Sequence, residues 1–311
     1  MNELKKDERM NSPANDLASG QIAQIACLLE ATARKPGNVH RFADFEGLHA
    51  LDFLLSASVI AGPLDRARAE GIGVAVRAAV EATRRVVQTN TNLGMVLLLA
   101  PLAAVEPGEE LASGVQRVLS TTTVEDARLV YQAIRLAIPG GLGKVDDQDV
   151  AAEPTVTLLE TMRLAAERDL VARQYANGFE QIFQEGVPAL REWLSQGRPL
   201  ETAIVGTFLD LLSRHHDSLI VRKVGAHRAE ECRRRTKDLL DVGWPDTIEG
   251  AVRYQELDEW LRHDGNRLNP GATADLIAAV LFVLLRDGTI SLPRHPGAIG
   301  WSIPEMPHDG P

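Results

Sequence analysis

Leu93-Gly-Met-Val-Leu-Leu-Leu-Ala-Pro-Leu-Ala-Ala-Val105 is the longest apolar run of this chain, and it is the stretch that decides the fold class. A helix that crosses a bilayer needs about 20 apolar residues, so the run is too short to be a membrane span. The stretch therefore predicts a buried helix, and the sequence on either side of it indicates which kind of secondary structure surrounds that helix.

Nearly every segment around the run has the spacing of an amphipathic helix. Hydrophobic residues make up 45% of the 311 residues but aromatic residues only 5%, which predicts an aliphatic core and favours helices over sheets. No alternating strand pattern or hairpin dipeptide stands out. We therefore predict an all-α fold, a single compact domain of about ten to twelve helices.

The two ends of the chain differ from its centre. Residues 1–15 are polar and charged and predict a disordered arm, residues 16–290 predict the all-helical catalytic domain, and residues 291–311 are rich in proline and predict an irregular tail. The first residues lack the apolar segment of a signal peptide. With only two cysteines, Cys27 and Cys232, a reducing compartment is favoured, and we predict a cytoplasmic protein without a membrane partner.

The net charge of −10 argues against broad nucleic-acid binding, which needs a basic surface. An anionic substrate remains possible, because a few local basic side chains and a divalent cation can reverse the charge inside a pocket.

Three local patterns make further predictions about helices. Residues 63–87 predict one helix with Pro63 in its first turn, and residues 177–195 predict another. Thr122-Thr-Val-Glu125 has the pattern of a capping box.

The first of five informative loops contains Glu30, Lys35, Pro36 and Gly37. A carboxylate near the C-terminus of a helix opposes the helix dipole, so Glu30 is a candidate for holding Mg²⁺ or a sugar hydroxyl. Lys35 is a candidate for a phosphate contact. The alternative is a solvated glutamate followed by an ordinary Pro-Gly helix stop.

The second loop, Thr89-Asn90-Thr91-Asn92-Leu93-Gly94, stands directly before the apolar run. The free amides at the start of that helix could bind an anion, and Gly94 would let a ligand approach the backbone. Capping by Asn92 or Thr91 is the simpler interpretation, but one cap does not account for four polar residues.

The third loop, residues 139–147, contains Gly141, Gly143, Lys144 and Asp146. It is not a Walker A motif, because Ile138 stands where the first glycine is required and Val145 replaces the Ser or Thr. The loop could order on a nucleotide with Mg²⁺, or it could be a polar linker.

The fourth segment has Asp210 among apolar residues, followed by Asp217, Arg222 and Lys223. A buried carboxylate needs a partner, which predicts a basic residue or a metal ion beside Asp210.

The fifth segment, Leu268-Asn-Pro-Gly-Ala-Thr-Ala-Asp-Leu276, opens an apolar helix. Asn269 is predicted as its N-cap, with Pro270 in the first position. Gly271 has no helical benefit there, which favours an anion site at the helix start, and Asp275 follows about one turn later.

Taken in this order, the five segments resemble the triphosphoribosyl-dephospho-CoA synthase family over residues 30–276, with Asn269-Pro-Gly…Ala-Asp-Leu276 as the most specific motif. The chain departs from the family at Asn90-Thr-Asn-Leu-Gly94, where members usually have Asn-Thr-His-Lys-Gly. It also lacks the usual His-x-Asp-Met after the Lys-Pro-Gly segment, and it has Asp217…Arg222-Lys-Val-Gly225 for Asp-Thr-Asn…His-Arg-Gly-Gly. We therefore interpret the chain as a divergent branch.

The resemblance implies transfer of the triphosphoribosyl group of ATP to 3′-dephospho-CoA with release of adenine, with ATP as co-substrate and Mg²⁺ as cofactor. On this basis we predict carboxylates that hold the metal ion or act as the base at Glu30, Asp210 and Asp275, with Asp146 and Asp217 as second choices. The predicted substrate-binding residues are Lys35, Lys144, Arg222 and Lys223 for phosphates, Asn90, Thr91 and Asn92 for the sugar or base, and Asn269 and Gly271 at the helix start, together with the loop glycines Gly37, Gly94, Gly141 and Gly143.

Two other interpretations stay open. The missing His-Lys pair favours an ATP-dependent glycosyl or phosphoribosyl transfer to another cofactor precursor, such as a pterin or furan of one-carbon metabolism. A helical scaffold without enzyme activity is the second alternative. The acceptor, the pathway and the oligomeric state do not follow from the sequence.

Overall fold

The computed structural model of the chain describes residues 17–137 and 148–292. The predicted arm and nearly all of the predicted tail lie outside these residues. So do Gly141, Gly143, Lys144 and Asp146, whose predicted roles remain predictions.

Sixteen α-helices lie in the described residues. Before residue 138 they are α1 (Ser19–Thr32), α2 (Ala50–Val59), α3 (Ala61–Asp65), α4 (Ala67–Glu70), α5 (Ile72–Val86), α6 (Leu93–Ala103), α7 (Leu111–Ser120) and α8 (Val124–Ala137). After residue 147 they are α9 (Leu158–Ala165), α10 (Leu170–Asn177), α11 (Val187–Ser195), α12 (Leu200–Arg214), α13 (Ser218–Val224), α14 (Ala226–Asp241), α15 (Ile248–Arg262) and α16 (Gly271–Arg286). The all-α prediction is confirmed, since the described residues contain two isolated β-bridges and no strand.

Helix α16 runs through the centre of the domain. Every residue from Leu276 to Leu285 is buried, and the helix packs against α1, α6, α10, α11, α12 and α13. Helix α6 is also buried on all sides except at Gly94, as the apolar run predicted. A helix with apolar residues all round its circumference must be enclosed by other elements. The first turns of these two buried helices therefore lie inside the domain, where their side chains can form a site.

The helices outnumber the ten to twelve predicted, because several long periodic segments are interrupted. Residues 63–87 form parts of three helices, and Gly71 between α4 and α5 has φ 93°, a value that favours glycine. Residues 177–195 comprise the end of α10, the left-handed Gly178, a π-helix at Gln181–Gly186 and then α11. Apolar periodicity continues across such breaks and therefore does not reveal them.

Two predicted caps are displaced by one residue. The reciprocal cap of α8 joins Thr123 and Asp126, not Thr122 and Glu125: the Thr123 amide donates to Asp126 Oδ2 at 2.8 Å, and the Asp126 amide donates to Thr123 Oγ1 at 3.1 Å. Helix α16 begins at Gly271, so Pro270 and not Asn269 occupies its N-cap position. None of the described helices is both long and apolar enough to pass through a bilayer.

Candidate active site

Gly94 and Asp275 bring the first turns of α6 and α16 together. A Cβ atom at position 94 would lie 2.0 Å from Asp275 Oδ2, so only glycine lets the carboxyl group occupy this position. Among the described residues, no donor or cation forms a hydrogen bond or ion pair with that carboxyl group. Within residues 17–137 and 148–292, Asp275 is therefore a partly exposed acid without a hydrogen-bond or ion-pair partner, at the junction of two buried helices.

The surroundings of Asp275 raise its pKa well above the ordinary value for an aspartate. Burial is the main cause, and the negative charges of Glu30, Asp217 and Asp169 add to it, while Arg222 acts in the opposite direction. Three carboxylates from three other parts of the chain thus raise the pKa of this one acid. Clusters of this kind, with strongly shifted carboxyl groups, are typical of sites that exchange protons.

Glu30 and Lys35 form a buried ion pair behind this acid. Lys35 Nζ lies 2.9 Å from Glu30 Oε1, and the exposed fractions of the two side chains are 0% and 3%. Burial raises the pKa of Glu30, whereas Lys35 opposes that change. Lys35 Nζ also donates to the Glu30 carbonyl oxygen. The solvated-glutamate alternative is wrong, because both side chains are buried. Lys35 as a phosphate contact stays a prediction, and in the described structure its ammonium group is paired with these acceptors.

Asp169 and Arg222 form a second ion pair beside Asp275, and Asp169 is a residue that the sequence analysis missed. Arg222 Nη1 lies 2.9 Å from Asp169 Oδ2, while Asp169 Oδ1 accepts from the amides of Val171 and Ala172 at the start of α10. The Arg222 Nε atom is buried and has no partner in the described structure. An aspartate before a helix is such a common cap that its position alone gave no signal of a site.

Asp217 lies close to Asp275 but has a structural role. Its Oδ1 accepts from the amides of Leu219 and Ile220 at 2.9 and 3.1 Å. Its Oδ2 accepts from the Thr273 amide and hydroxyl at 2.7 and 2.8 Å. Four donors therefore satisfy this buried carboxylate, which joins α13 to the first turn of α16. Burial still raises its pKa, against the effect of these donors.

Polar side chains in the loop before α6 form hydrogen bonds with other groups of the protein. Asn90 Oδ1 accepts from the Leu93 amide at 3.2 Å, the Thr91 hydroxyl bonds with that of Ser56, and Asn92 Nδ2 donates to Thr83 Oγ1 at 3.1 Å. Asn92 occupies the N-cap position of α6 but makes no side-chain cap hydrogen bond, and Asn90 accepts from the first helical amide in its place. Thr91, Asn92 and Leu93 are buried, so the family's usual His-Lys positions carry two enclosed side chains here.

Backbone conformation and packing explain Gly37, whose φ is 73° and where an added Cβ atom would lie 2.6 Å from Leu261 Cβ. At Gly271 an added Cβ atom would lie 2.7 Å from Leu219 Cδ2, the end of a flexible side chain. The predicted role of Gly271 at an anion site stays a prediction. Asn269 is different, since its Oδ1 atom is buried and has no hydrogen-bond partner among the described residues.

The structure does not bring Asp210 to this cluster. Its Oδ2 atom accepts from Trp193 Nε1 at 2.8 Å, and the groups that act on its pKa are Trp193 and Arg214. Burial raises the pKa of Asp210. Lys223, the other predicted residue of this segment, donates from Nζ to the Asn266 carbonyl oxygen at 3.2 Å, and burial lowers the pKa of Lys223. The sequence predicted a basic residue or a metal ion beside Asp210, and the hydrogen-bond donor in the described structure is the indole N–H of Trp193.

Both the sequence and the fold of this chain have counterparts among known proteins. A family model described as CitG, ATP:dephospho-CoA triphosphoribosyl transferase, matches residues 17–292. The chain belongs to this family.

Individual members of the transferase family are distant relatives of the chain. A Pseudomonas fluorescens protein named "Probable 2-(5''-triphosphoribosyl)-3'-dephosphocoenzyme-A synthase" is 31% identical over 36% of this chain and 38% of its own length. A protein of the same name from Pseudomonas savastanoi pv. phaseolicola is 24% identical over 53% of this chain and 55% of its own length. The chain thus spans between about two fifths and just over half of these relatives.

A solved structure covers more of the fold. The crystal structure of a candidate triphosphoribosyl-dephospho-CoA synthase from Archaeoglobus fulgidus has a TM-score of 0.60 and 28% sequence identity. The likeness covers 76% of this chain and 99% of the archaeal chain. The family assignment therefore has support from both sequence and structure.

Proposed function

We propose that this chain transfers the triphosphoribosyl group of ATP to the 2′-hydroxyl of 3′-dephospho-CoA and releases adenine. The observation that supports this most directly is Asp275, a carboxyl group with a raised pKa and no protein partner in the described structure, in a chain of this transferase family.

The reaction breaks the bond between adenine and C1′ of the ribose while an oxygen–C1′ bond forms. Positive charge develops at the sugar, as in glycoside hydrolysis. The attacking hydroxyl loses one proton and the leaving adenine carries one, so no other reactant is consumed. A general base with a pKa near the working pH is the most effective, which favours a raised carboxyl group over an ordinary one.

We assign the base to Asp275. Glu30 is held by Lys35, Asp217 by four donors and Asp210 by Trp193, so these three carboxylates have other partners. Asp275 remains able to accept the proton of the hydroxyl. The negative neighbours that raise its pKa also stabilise the positive charge that develops at the sugar in the transition state.

A site in which the protein itself supplies most ligands of Mg²⁺ does not fit the described residues. They contain no group of three or more His, Cys, Asp or Glu side chains that could hold a metal ion. Magnesium commonly keeps several waters and binds through substrate phosphates. We propose that Mg²⁺ enters with the triphosphate of ATP, and we derive no catalytic step through it.

The test is adenine release from ATP and Mg²⁺, with and without 3′-dephospho-CoA, followed by chromatography. We expect adenine only when the acceptor is present. Asp275→Asn should stop release, whereas Asp241→Asn, which changes an exposed aspartate on α14, should not. If adenine is released only with a pterin or furan precursor, that precursor is the acceptor and dephospho-CoA is not. If the protein binds no nucleotide and releases no adenine, the result would support the interpretation of the chain as a helical scaffold without enzyme activity.

A further inference from the structure

A cavity of about 360 Å³ lies beside the Asp169–Arg222 pair, between the start of α10, the end of α12, and helices α13 and α14. Its charged lining includes two acids, Glu167 and Asp169, and four arginines, Arg168, Arg173, Arg214 and Arg233. The chain as a whole carries a net charge of −10, so this excess of positive charge is a local exception.

The four arginines are not equally neutralised. Arg233 lies 2.6 Å from Glu230, and Arg214 lies 3.6 Å from Glu185. Arg168 and Arg173, in contrast, donate only to the carbonyl oxygens of Leu164 and Ala166 in the described structure, at 3.0 and 3.2 Å. Two guanidinium groups in one cavity therefore keep their positive charge without a carboxylate.

The cavity also adjoins the candidate active site. Asp169 lines it, bonds to Arg222, and contributes to the raised pKa of Asp275. Ser218 lines it too, and the preceding Asp217 bonds to Thr273 in the first turn of α16. The cavity wall is thus connected to the surroundings of Asp275 through Asp169 and through the bond from Thr273 to Asp217.

We propose that this cavity binds a polyphosphate chain, with Arg168 and Arg173 as its principal contacts. Planar guanidinium groups bind phosphate oxygens in pairs of charge-assisted hydrogen bonds. The volume is at the lower end for ligand pockets, which fits a diphosphate or triphosphate better than a whole nucleotide. The identity of the ligand rests on the proposed function, whose substrates supply two such chains: the triphosphate of ATP and the diphosphate of dephospho-CoA.

The test compares two double variants that remove the same charge. Arg168→Gln with Arg173→Gln changes the cavity, and Arg85→Gln with Arg163→Gln changes two exposed arginines outside its lining. Binding of inorganic tripolyphosphate is measured by calorimetry at fixed salt, without turnover. We expect the Kd to rise at least about tenfold in the cavity variant and to stay within about twofold in the control. Thermal unfolding of each variant checks that it is folded.

Steady-state kinetics then distinguishes the two sources of the chain. A KM increase in the cavity variant for ATP alone assigns the cavity to the triphosphate, and one for dephospho-CoA alone assigns it to the diphosphate. Equal losses in both double variants, or no tripolyphosphate binding by the unaltered protein, would overturn the proposal. If no acceptor supports adenine release but tripolyphosphate binding still depends on Arg168 and Arg173, the proposed function fails and the anion cavity stands.

Discussion

The backbone of Gly94 lies directly against the carboxyl group of Asp275, so close that a Cβ atom there would be 2.0 Å from Oδ2. This contact explains why a glycine stands in the first turn of a helix that is otherwise buried and aliphatic. It also makes the position of the proposed base dependent on a residue from a distant part of the sequence.

Gly94→Ala should move Asp275 and reduce turnover by about 100-fold, since a displacement of about 1 Å in a catalytic group can have that effect. The added methyl group should also lower the free energy of unfolding by about 1–3 kcal/mol. Adenine release and urea unfolding measure the two effects. Gly62→Ala is the matched control, because a Cβ atom there meets only open space and the tip of Arg66. Equal activity in both variants would show that the contact has no catalytic consequence.

Asp275→Asn should change the pH dependence of stability. The pKa of Asp275 is raised in the folded protein, so the folded state binds this proton more tightly than the unfolded state. Its contribution is therefore most favourable below the unfolded pKa of about 3.9 and decreases as pH rises above it. Urea unfolding from pH 4 upward should show stability falling more steeply in the unaltered protein than in the variant. Parallel pH profiles would mean that Asp275 is an ordinary solvated acid.

Lys35→Met should lower the free energy of unfolding by about 3–5 kcal/mol, because it leaves the Glu30 carboxylate buried without its cation. Adding Glu30→Gln to this variant should recover part of the loss. A double-mutant cycle by urea unfolding measures the coupling. Additive losses would contradict the buried ion pair. If Lys35 instead contacted a phosphate, its removal would raise the KM for ATP and leave stability unchanged.

Asp210→Asn should keep most of the adenine release, since the side chain holds Trp193 and shares no interaction with Asp275. Stability should change by less than about 1 kcal/mol, because the amide oxygen of the asparagine can still accept from Trp193 Nε1. Trp193→Phe, in contrast, removes this hydrogen bond and also changes the packing on Gly206. An activity loss in Asp210→Asn as large as that in Asp275→Asn would return Asp210 to the catalytic set.

The helical fold and several residues of the candidate site could be predicted from the chain alone. An apolar run of this length among segments with helical spacing predicts a helix enclosed by the others, so Leu93–Val105 indicated the core directly. Short polar segments at the starts of apolar helices likewise indicated Gly94 and Asp275, because such residues are uncommon there without a local reason.

Only the tertiary structure decided which of the candidate carboxylates has a partner. Glu30, Asp210, Asp217 and Asp275 look alike in sequence, yet Lys35, Trp193 and Thr273 contact the first three of them, and Gly94 leaves the fourth without a bond in the described residues. The physical reason is that the ionisation and reactivity of a carboxyl group depend on burial and on neighbouring charges. The charged groups that act on Asp275 lie at or near α1, α10 and α13, which are far apart in the chain and meet by packing against α16.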